Sequence, residues 1–408
     1  MMVQTMMGCL RGLAAYKHPI TLFGIKNVKS LTNITSTLKI VAYYLPQFHQ
    51  IPENDKWWGK GFTEWTNTRR AVPLFKGHYQ PRVPLNDNYY DLTEINTLKA
   101  QAKLAVENGI DAFCLYHYWF NGTRLLYKPL DLLKSDHSID ISFCLSWAND
   151  PWTRTWNGRN REVLMPQKYG SYEEWKKHFE YLVSFFSDER YLKVNNKPLI
   201  VIYRPSDIPD YSDMLTYWRE WARDFGFDGI HVVQELNGFE KDILQGFDAL
   251  IEFEPMFTIR NDFPLSRKFV RYSKAAINRV ILKAGIKTSE FLDILDYDYV
   301  WKRILERRRN NRDIVTYLGA FVDWDNTSRR GKKGTIIKGA TPEKFHRYLA
   351  AILNLKRAGQ FGDLIFVNAW NEWAEGAYLE PDQKYELSYL RSVKRATDEF
   401  RSEGTGGK

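Results

Sequence analysis

The feature that most constrains the fold is a series of eight apolar, β-branched runs that recur along the chain from residue 40 onward. Most runs are followed by helical periodicity, as in residues 92–108, 172–186, 211–225 and 342–358. The eight runs are Ile40 to His49, Ile110 to Phe120, Ile141 to Asp150, Pro198 to Pro205, Gly229 to Leu236, Ala249 to Pro255, Thr316 to Trp324 and Asp363 to Trp373. Alternating strands and helices predict a parallel sheet, and eight repeats are the number that closes into a barrel.

The predicted fold class is therefore α/β, as a (β/α)8 TIM barrel with elaborated loops after its strands. The alternative, a doubly wound sheet, would be expected to carry a glycine-rich turn after an early strand, and no G-x-G-x-x-G stands there. No Pro/Gly/Ser linker divides residues 40–398, which we interpret as one catalytic domain. Residues 1–39 lack acidic residues and regular periodicity, so we predict an extension outside the barrel, and we predict a disordered tail at residues 399–408.

Much of the net charge of +9 (58 basic minus 49 acidic residues) is local. The stretch from Arg260 to Arg312 also contains Arg267, Lys268, Arg271, Lys274, Arg279, Lys283, Lys287, Lys302, Arg303, Arg307, Arg308 and Arg309. We interpret it as a basic helical insertion after the sixth strand. It is either a solvated face or a site for an anionic glycan, a lipid-linked carrier or an anionic membrane surface. It lacks a recognisable nucleic-acid recognition module, so nucleic acid is not an expected partner.

The cysteines, Cys9, Cys114 and Cys144, are odd in number and lack metal-type spacing, so a disulfide framework is not expected. The eight histidines show no H-E-x-x-H spacing, and we expect neither a metal nor a cofactor. No segment approaches about 20 consecutive apolar residues, and no convincing signal peptide precedes residue 40. We expect a cytoplasmic protein, peripheral to the inner membrane if the basic stretch binds lipid.

The strands of such a barrel end at one rim, so the polar and aromatic residues that end the runs should meet there. An oligosaccharide or polysaccharide is the expected ligand, because aromatic faces stack on sugar rings, although aromatics also fill cores. The predicted substrate-binding residues are Tyr44, Gln47, His49, Trp58, Glu64, Trp65, Tyr116, His117, Tyr118, Trp119, Trp147, Asn149, Asp150, Tyr203, Arg204, Glu235, Glu252, Glu254, Asp323, Asp325, Asn368, Trp370 and Asn371.

The densest part of this rim is N-A-W-N-E-W-A-E-G, residues 368–376. Glycosidic cleavage needs an acid for the departing oxygen and a second carboxylate, and Glu372 and Glu375 supply such a pair. Their spacing on a strand-end turn could direct both side chains into one cavity, where Trp370 and Trp373 would exclude water and help raise the pKa of the acid. The alternative is a pair of surface glutamates that cap the last helix.

Six segments of the chain resemble the WbsX-type, glycoside hydrolase family 99-like proteins of bacterial polysaccharide gene clusters. They are Y-Y-L-P-Q-F-H (43–49), N-D-K-W-W-G-K-G-F-T-E-W-T-N (54–67), G-H-Y-Q-P-R-V-P (77–84), F-C-L-Y-H-Y-W-F-N-G (113–122), S-W-A-N-D-P-W-T (146–153) and V-N-A-W-N-E-W-A-E-G-A-Y-L-E-P-D (367–382). The resemblance covers nearly everything after residue 39.

The resemblance implies a (β/α)8 barrel related to retaining endo-acting α-mannosidases, with Glu372 and Glu375 as the catalytic pair. The first glutamate would deprotonate the 2-hydroxyl of the sugar, which attacks the anomeric carbon, and the second would protonate the leaving oxygen and then activate water. Two positions depart from the mannosidase pattern: Ala374 stands where histidine is usual, and Asp150 where glutamate is usual.

Two other functions stay open at the level of sequence. Asp323, Trp324 and Asp325 match the D-x-D metal signature of sugar-nucleotide glycosyltransferases, which would act here in O-antigen or capsule biosynthesis, although those enzymes typically use Rossmann-like halves. A barrel that transfers the sugar to another sugar is a second version of transfer. The chain could also be a non-catalytic glycan-binding protein that retains an aromatic groove.

Overall fold

The computed structural model of the chain describes residues 38–154, 162–285, 290–307, 314–359 and 361–405. Eight parallel strands form a closed barrel, because the first strand pairs with both the second and the eighth. The strands are β1 (Lys39–Tyr44), β2 (Ala112–Phe120), β3 (Ser142–Trp147), β4 (Lys197–Ile202), β5 (His231–Leu236), β6 (Ala249–Glu252), β7 (Val315–Phe321) and β8 (Leu364–Asn368). The predicted TIM barrel is confirmed.

Helices follow the strands and surround the barrel, except that residues 237–248, between β5 and β6, contain no helix. The helices are α1 (Pro52–Trp58), α2 (Glu64–Arg70), α3 (Ile95–Glu107), α4 (Lys128–Ser135), α5 (Tyr172–Phe186), α6 (Tyr211–Asp224), α7 (Leu265–Lys283), α8 (Tyr297–Glu306), α9 (Thr327–Arg330), α10 (Pro342–Ala358) and α11 (Ser388–Thr405). Proline at the first turn of α1, α4 and α10 suits helix starts, because the N–H that it lacks would have no partner there.

Short strands and helical turns lie in the loops, most of them at the carboxyl ends of the barrel strands. Two-, three- and four-residue strands lie at Thr123–Leu125, Trp152–Thr153, Val163–Met165, Lys193–Val194, Asp293–Asp296, Trp324–Asp325, Thr335–Lys338, Asn371–Glu372 and Ala377–Tyr378. Single helical turns lie at Leu85–Asp87, Pro205–Asp207, Thr258–Asp262, Gly331–Lys333 and Trp373–Glu375.

The core has two layers, one inside the barrel and one between the barrel and its helices. Strands buried on both faces read as continuous apolar runs, and all nine residues of β2 are buried. Successive side chains of a strand point to opposite layers. In β1 the Tyr43 hydroxyl donates to Glu235 of β5 at 2.7 Å, across the barrel, while the Tyr44 hydroxyl donates to Gln101 of α3 at 2.7 Å. Because of this alternation, some of the residues at the end of each strand face the barrel interior and their neighbours face the surrounding helices.

The two ends of the barrel chain differ in detail from the sequence prediction. β1 begins at Lys39, one residue inside the predicted extension, and the rest of that extension lies outside the described residues. At the other end α11 continues to Thr405, so most of the predicted disordered tail is helical. The reason is tertiary: Arg401 pairs with Asp111 at 3.1 Å, and Arg357 of α10 donates to the Phe400 carbonyl at 2.8 Å.

The insertion after β6 contains α7 and α8, as predicted, with the strand Asp293–Asp296 between them. Part of its charge is neutralised internally, since Arg271 pairs with Asp293 at 2.5 Å. The cysteines Cys114 and Cys144 are free and buried, and Cys9 lies outside the described residues. No helix in the described part of the chain is long and apolar enough to cross a membrane.

Candidate active site

Three carboxylates meet on one guanidinium at the carboxyl end of the barrel. Arg329 of α9 donates from Nη2 to Glu372 at 3.0 Å and from Nη1 to Glu375 at 2.7 Å. Its Nε donates to Glu64, the first residue of α2, at 2.8 Å. The loops after β1, β7 and β8 therefore converge on a single cation. The sequence analysis predicted all three glutamates as site residues and missed Arg329. The one indication of such a residue in the sequence was the excess of carboxylates predicted at this rim, which would need a cation.

The turn that carries the glutamate pair is tightly built. Glu372 ends a short strand, and the turn Trp373–Glu375 closes at Gly376 with φ of 66°. A Cβ on Gly376 would lie 3.0 Å from the backbone nitrogen of Asp325, so the turn packs directly on the short strand Trp324–Asp325 that follows β7. The Ser328 hydroxyl of α9 donates to the Ala374 carbonyl at 2.5 Å. These contacts fix the two carboxylates relative to Arg329.

Burial governs the charge of the pair. It raises the pKa of Glu372 to about 8, against the opposing attraction of Arg329, and repulsion by Glu375 and Glu64 adds to the rise. Burial also raises the pKa of Glu375, where Arg329 again opposes it. One cation cannot neutralise three ionised carboxylates, so the cluster favours keeping a proton near neutral pH. The Glu375 side chain is 21% exposed and that of Glu372 only 7%.

Three tyrosines lie within electrostatic range of this pair. Burial, and then the charge of Glu372, raise the pKa of both Tyr116 and Tyr118 of β2. Burial raises the pKa of Tyr203, at the end of β4, with smaller contributions from Asp150 and Glu375. Their hydroxyls therefore stay protonated and available as hydrogen-bond donors.

Two further acids line the same region. Burial raises the pKa of Glu235 to about 8, although hydrogen bonds from Tyr43 and from Asn237, at 3.3 Å, lower it. Burial likewise raises the pKa of Asp150 to about 6, and Arg204 opposes this shift. Both groups were predicted from sequence; these pKa values favour a protonated Glu235 at neutral pH, whereas Asp150 takes up its proton closer to pH 6.

Four predicted substrate residues point instead into the layer between barrel and helices. His117 Nε2 lies 2.9 Å from His178 Nε2 of α5, and Trp119 stacks on the His178 ring at 4.6 Å. The Trp147 indole N–H donates to the Trp119 carbonyl at 3.3 Å, and Tyr44 contacts α3. The physical reason is strand alternation, which sends neighbouring side chains to opposite faces. The sequence prediction did not separate the two faces.

Several other predicted residues hold the rim loops together. The Asn371 side chain bonds both backbone groups of Leu45, with its Oδ1 2.7 Å from the nitrogen and its Nδ2 3.0 Å from the oxygen. Asn149 does the same for Arg204, at 2.7 and 2.8 Å. Asn368 donates to the Glu254 carbonyl at 3.0 Å. These side-chain amides hydrogen-bond backbone groups at and beyond the strand ends, and so link neighbouring loops where the hydrogen bonds between strands stop.

The predicted aromatic residues of the rim take different positions. The Trp65 indole donates to the Tyr90 carbonyl at 2.8 Å, and Trp370 packs on Phe113 at 5.2 Å, so both are buried in the core. Trp58 is half-buried, with the guanidinium of Arg154 at 5.3 Å from its ring centre.

Gln47 and His49, at the end of the first run, are both buried. The Gln47 carbonyl accepts the Glu64 N–H at 3.1 Å and so helps to place that carboxylate. Burial lowers the pKa of His49 to about 4, which keeps its imidazole neutral.

Glu252 and Glu254, at the end of β6, form a buried ion-pair cluster with Arg307. The guanidinium lies 2.5 Å from Glu252 and 2.6 Å from Glu254, and it also pairs with Asp262. The sequence analysis had placed the two glutamates at the substrate and Arg307 in the basic stretch, interpreted as either a solvated face or a site for an anionic ligand. The structure corrects this, because the opposite charges are buried against each other. Lys287, Arg308, Arg309 and Arg312 lie outside the described residues.

Asp323 and Asp325 anchor the G-H-Y-Q-P-R segment of the first loop. Asp323 accepts from Arg82 at 2.8 Å. Asp325 lies 2.7 Å from His78 Nε2 and accepts from Gln80 at 2.8 Å and from the Thr327 hydroxyl at 2.6 Å. These donors engage the acids of the D-x-D pattern. Among the residues that the structure describes, no group of three or more His, Cys, Asp or Glu side chains is arranged to hold a metal ion.

The barrel resembles solved structures of glycoside-active proteins. A GH99 endo-alpha-mannosidase from Bacteroides thetaiotaomicron, in complex with BIS-TRIS-propane, aligns with a TM-score of 0.50 at 12% identity, over 92% of this chain and 100% of its own. A glycoside hydrolase-like protein aligns with a TM-score of 0.54 at 11% identity, over 91% of this chain and 97% of its own. At these identities the likeness establishes the shared fold.

The sequence matches curated relatives more closely. It is 38% identical over 365 residues to the protein WxcX of Xanthomonas campestris pv. campestris, both in strain ATCC 33913 and in strain B100. The match covers 88% of this chain and 49% of each relative, so the chain spans about half their length. The family model described as "Glycosyltransferase WbsX" matches residues 40–393. This match covers most of the chain, and the chain belongs to the WbsX family.

Proposed function

We propose that this protein acts on glycosidic bonds through Glu372 and Glu375, as a retaining, endo-acting, mannosidase-like enzyme. The observation that carries the proposal is the convergence of both glutamates on Arg329, at 3.0 and 2.7 Å, beside the buried Tyr116 and Tyr118 and the half-buried Tyr203. A pair that only capped a helix would have no reason to share a largely enclosed cation with a third carboxylate from a distant loop.

The pair needs one protonated and one ionised member at the same pH. Burial raises the pKa of both glutamates, and Arg329 stabilises ionisation of either one. We assign the acid role to Glu375, because its greater exposure suits a group that exchanges protons with water and with a leaving group. Glu372, deeper in the site, receives the base role, which requires the proton that the coupled pair holds near neutral pH to lie on Glu375.

The proposed reaction has two steps with balanced proton transfers. In the first, Glu372 takes the proton of the sugar 2-hydroxyl, the 2-oxygen bonds to the anomeric carbon, and the bond to the leaving oxygen breaks as Glu375 protonates that oxygen. In the second, Glu375 takes a proton from water, the water oxygen bonds to the anomeric carbon, and the 2-oxygen leaves with the proton returned by Glu372. No glycosyl ester with the enzyme forms.

The tyrosine hydroxyls are the proposed contacts to sugar oxygens. Tyr116, Tyr118 and Tyr203 carry protonated hydroxyls beside the pair and can donate to the ring substituents of the residue being cleaved. Trp58 in the first loop is the partly exposed aromatic face proposed to stack on a neighbouring sugar. We propose a cell-surface polysaccharide or its precursor as substrate.

Transfer to a sugar acceptor is the second candidate function, and the family description favours it. The same pair serves transfer if a sugar hydroxyl replaces water in the second step. A metal-dependent nucleotide-sugar reaction at Asp323 and Asp325 has less support, since Arg82, His78 and Gln80 already engage both acids. Running the reaction with and without an added saccharide acceptor separates hydrolysis from transfer.

The test replaces each glutamate by glutamine and measures turnover. A carboxylate in proton transfer contributes about 100- to 10,000-fold in rate, so Glu372→Gln and Glu375→Gln should each lose at least about 100-fold on an α-mannan oligosaccharide or on the surface glycan of the producing cell. An aryl mannobioside with a good leaving group depends less on protonation. Glu375→Gln should therefore recover part of its cleavage rate on this probe, and Glu372→Gln should not.

Glu380→Gln is the matched control, because Glu380 is a buried carboxylate close in sequence that hydrogen-bonds Trp373 and Tyr90 rather than Arg329. It should lose far less turnover than either member of the pair. Near-normal activity of both Glu372→Gln and Glu375→Gln would refute the assignment. Glycan binding by the wild type with no turnover would instead favour a non-catalytic binding protein.

A further inference from the structure

Helix α7, in the insertion after β6, is inverted relative to an ordinary surface helix. A surface helix normally buries an apolar stripe and exposes its polar residues. In α7 the one buried residue is polar, Asn278, whose side chain donates to the Lys332 carbonyl at 2.8 Å. Most of its large apolar side chains face outward, while Ile281 and Leu282 are half-buried.

Polar contacts hold α7 to the rest of the protein. Arg271 pairs with Asp293 at 2.5 Å, and Lys268 donates to the Asn261 carbonyl at 3.0 Å. The guanidinium of Arg267 lies 3.8 Å from the ring centre of Tyr299. These contacts fix the orientation of the helix, so its outward face is a defined surface.

The outward face is apolar over the length of the helix. At 100° per residue its members fall within one broad sector. They are Leu265, Phe269, Val270, Tyr272, Ile277 and Val280, of which Leu265 is 83% exposed, Phe269 73% and Val280 67%. An apolar face of this kind on the exposed surface of a protein indicates an interaction site.

Positive charge accompanies this face. Helix α7 contains six basic residues and no acidic residue. Arg267, Lys274, Arg279 and Lys283 are exposed, and no ion pair joins Lys274, Arg279 or Lys283 to another residue in the described ranges. An apolar face with Phe and Leu, flanked by Lys and Arg, is the pattern of helices that lie in the plane of an anionic membrane surface.

We propose that α7 binds an anionic lipid bilayer, with Phe269 and its apolar neighbours in the headgroup region and the flanking cations on lipid phosphates. The charge pattern favours this occupant, because anionic headgroups neutralise the positive charge of α7, whereas a second copy of the chain would bring the same charge against it and be repelled. This inference does not depend on the proposed function, since it concerns binding and not turnover.

Helix α7 lies near the candidate active site, so binding of the helix to a bilayer would affect where that site is held. The Lys332 carbonyl that accepts from Asn278 stands three residues after Arg329, in the turn that follows α9. Helix α7 therefore borders the rim that carries the three glutamates. Binding to a bilayer brings that rim close to glycans that are attached to lipid.

The test is sedimentation of the whole protein with vesicles of phosphatidylglycerol and phosphatidylethanolamine, compared with purely zwitterionic vesicles. The wild type should partition to the anionic vesicles, and salt should weaken binding because exposed charges are screened over about 8 Å at physiological ionic strength. Phe269→Glu removes the burial of an aromatic side chain and should reduce partitioning at least about tenfold. Lys274→Glu with Lys283→Glu should reduce it by about fivefold or more per residue.

Phe225→Glu is the matched control, because Phe225 is an exposed aromatic residue that follows α6, away from the insertion. Its partitioning should equal that of the wild type. Equal loss in both Phe→Glu variants, or no preference for anionic vesicles, would overturn the proposal. Sedimentation velocity without lipid gives the competing outcome: a dimer that Phe269→Glu dissociates would make a second copy the occupant and would also overturn it.

Discussion

Arg329 is the residue on which the candidate site depends, because it contacts Glu64, Glu372 and Glu375 together. Without a shared cation, three carboxylates drawn together by the barrel would repel one another and would take up protons. The pairing at one guanidinium makes the protonation states of the two proposed catalytic groups interdependent. The sequence contains Arg329 within a run of basic residues, and nothing local distinguishes it from Arg330.

Replacing Arg329 should change the pH dependence of activity as well as its rate. Arg329 lowers the pKa of both glutamates, so Arg329→Gln should raise both pKa values and move the acid limb of the kcat/KM profile to higher pH. Turnover at neutral pH should fall on the order of 100-fold. The measurement is a pH–rate profile on the aryl mannobioside.

Arg330→Gln is the neighbouring control, since Arg330 is exposed and contributes less to the pKa of Glu375. Arg329→Lys keeps the charge but cannot reproduce three directed hydrogen bonds, so it should restore the acid limb and leave turnover low. An unchanged profile in Arg329→Gln would show that the cation does not control the pair.

Glu235 should make the protein less stable as pH rises. Its pKa is raised to about 8 in the folded chain, so the folded state holds a proton that the unfolded state releases above its ordinary pKa near 4.5. The free energy of unfolding therefore falls with pH in this window, by up to about 1.4 kcal/mol per pH unit for one group. Glu235→Gln cannot titrate and should flatten the slope by that amount, as urea unfolding at several pH values would measure.

Glu107→Gln supplies the comparison for this effect, because Glu107 is an exposed carboxylate on α3. It should leave the slope of stability against pH unchanged. Glu372 and Glu380, with pKa values of about 8 and 7, contribute in the same direction, so some slope should remain in Glu235→Gln. Identical slopes for the wild type and Glu235→Gln would contradict the assignment of a bound proton to Glu235.

At the scale of elements, strand alternation decides which predicted residues can face a ligand. The motif F-C-L-Y-H-Y-W-F places Tyr116 and Tyr118 near the glutamate pair, while His117 and Trp119 pack on α5. The sequence predicts that the motif lies at a strand end. Once the strand is located, the alternation of side chains between its two faces predicts that Tyr116 and Tyr118 share one face and that His117 and Trp119 share the other.

The contact between β6 and β7 requires a glycine. A Cβ on Gly319 would lie 1.8 Å from the Glu252 carbonyl oxygen. Because this oxygen belongs to the backbone, a change of side-chain rotamer cannot relieve the clash. Gly319→Ala should therefore separate the two strands and cost on the order of 3 kcal/mol of unfolding free energy. It should also disturb the end of β6, where Glu252 binds Arg307.

Gly226→Ala is the control for backbone conformation. A Cβ there would meet no atom within 4 Å, but Gly226 has a φ of 83°, so the expected cost is about 1 kcal/mol from strain alone. Urea unfolding of both variants compares the two effects. Equal costs would mean that β6 and β7 can separate freely.

At the scale of the whole molecule, residues 38–405 contain the barrel, and we predict that residues 1–37 are dispensable for its folding. Leu38 is buried, and Lys39 begins β1 with its N–H donating to the Asp363 carbonyl at 2.9 Å. A chain that starts at Leu38 keeps these contacts and should unfold within a few degrees of the full chain. A large fall in Tm would show that the preceding residues pack on the barrel.

The amino-acid sequence by itself determined the barrel, because eight apolar runs with intervening helical periodicity admit few other folds. It also determined the glutamate pair and its place after the last strand. Tertiary structure alone decided which charges meet. It paired Arg307 with Glu252 and Glu254, anchored Asp323 on Arg82, and brought Arg329 to the glutamates. The physical reason is that these partners are far apart in sequence, and only closure of the barrel brings their side chains within hydrogen-bond distance.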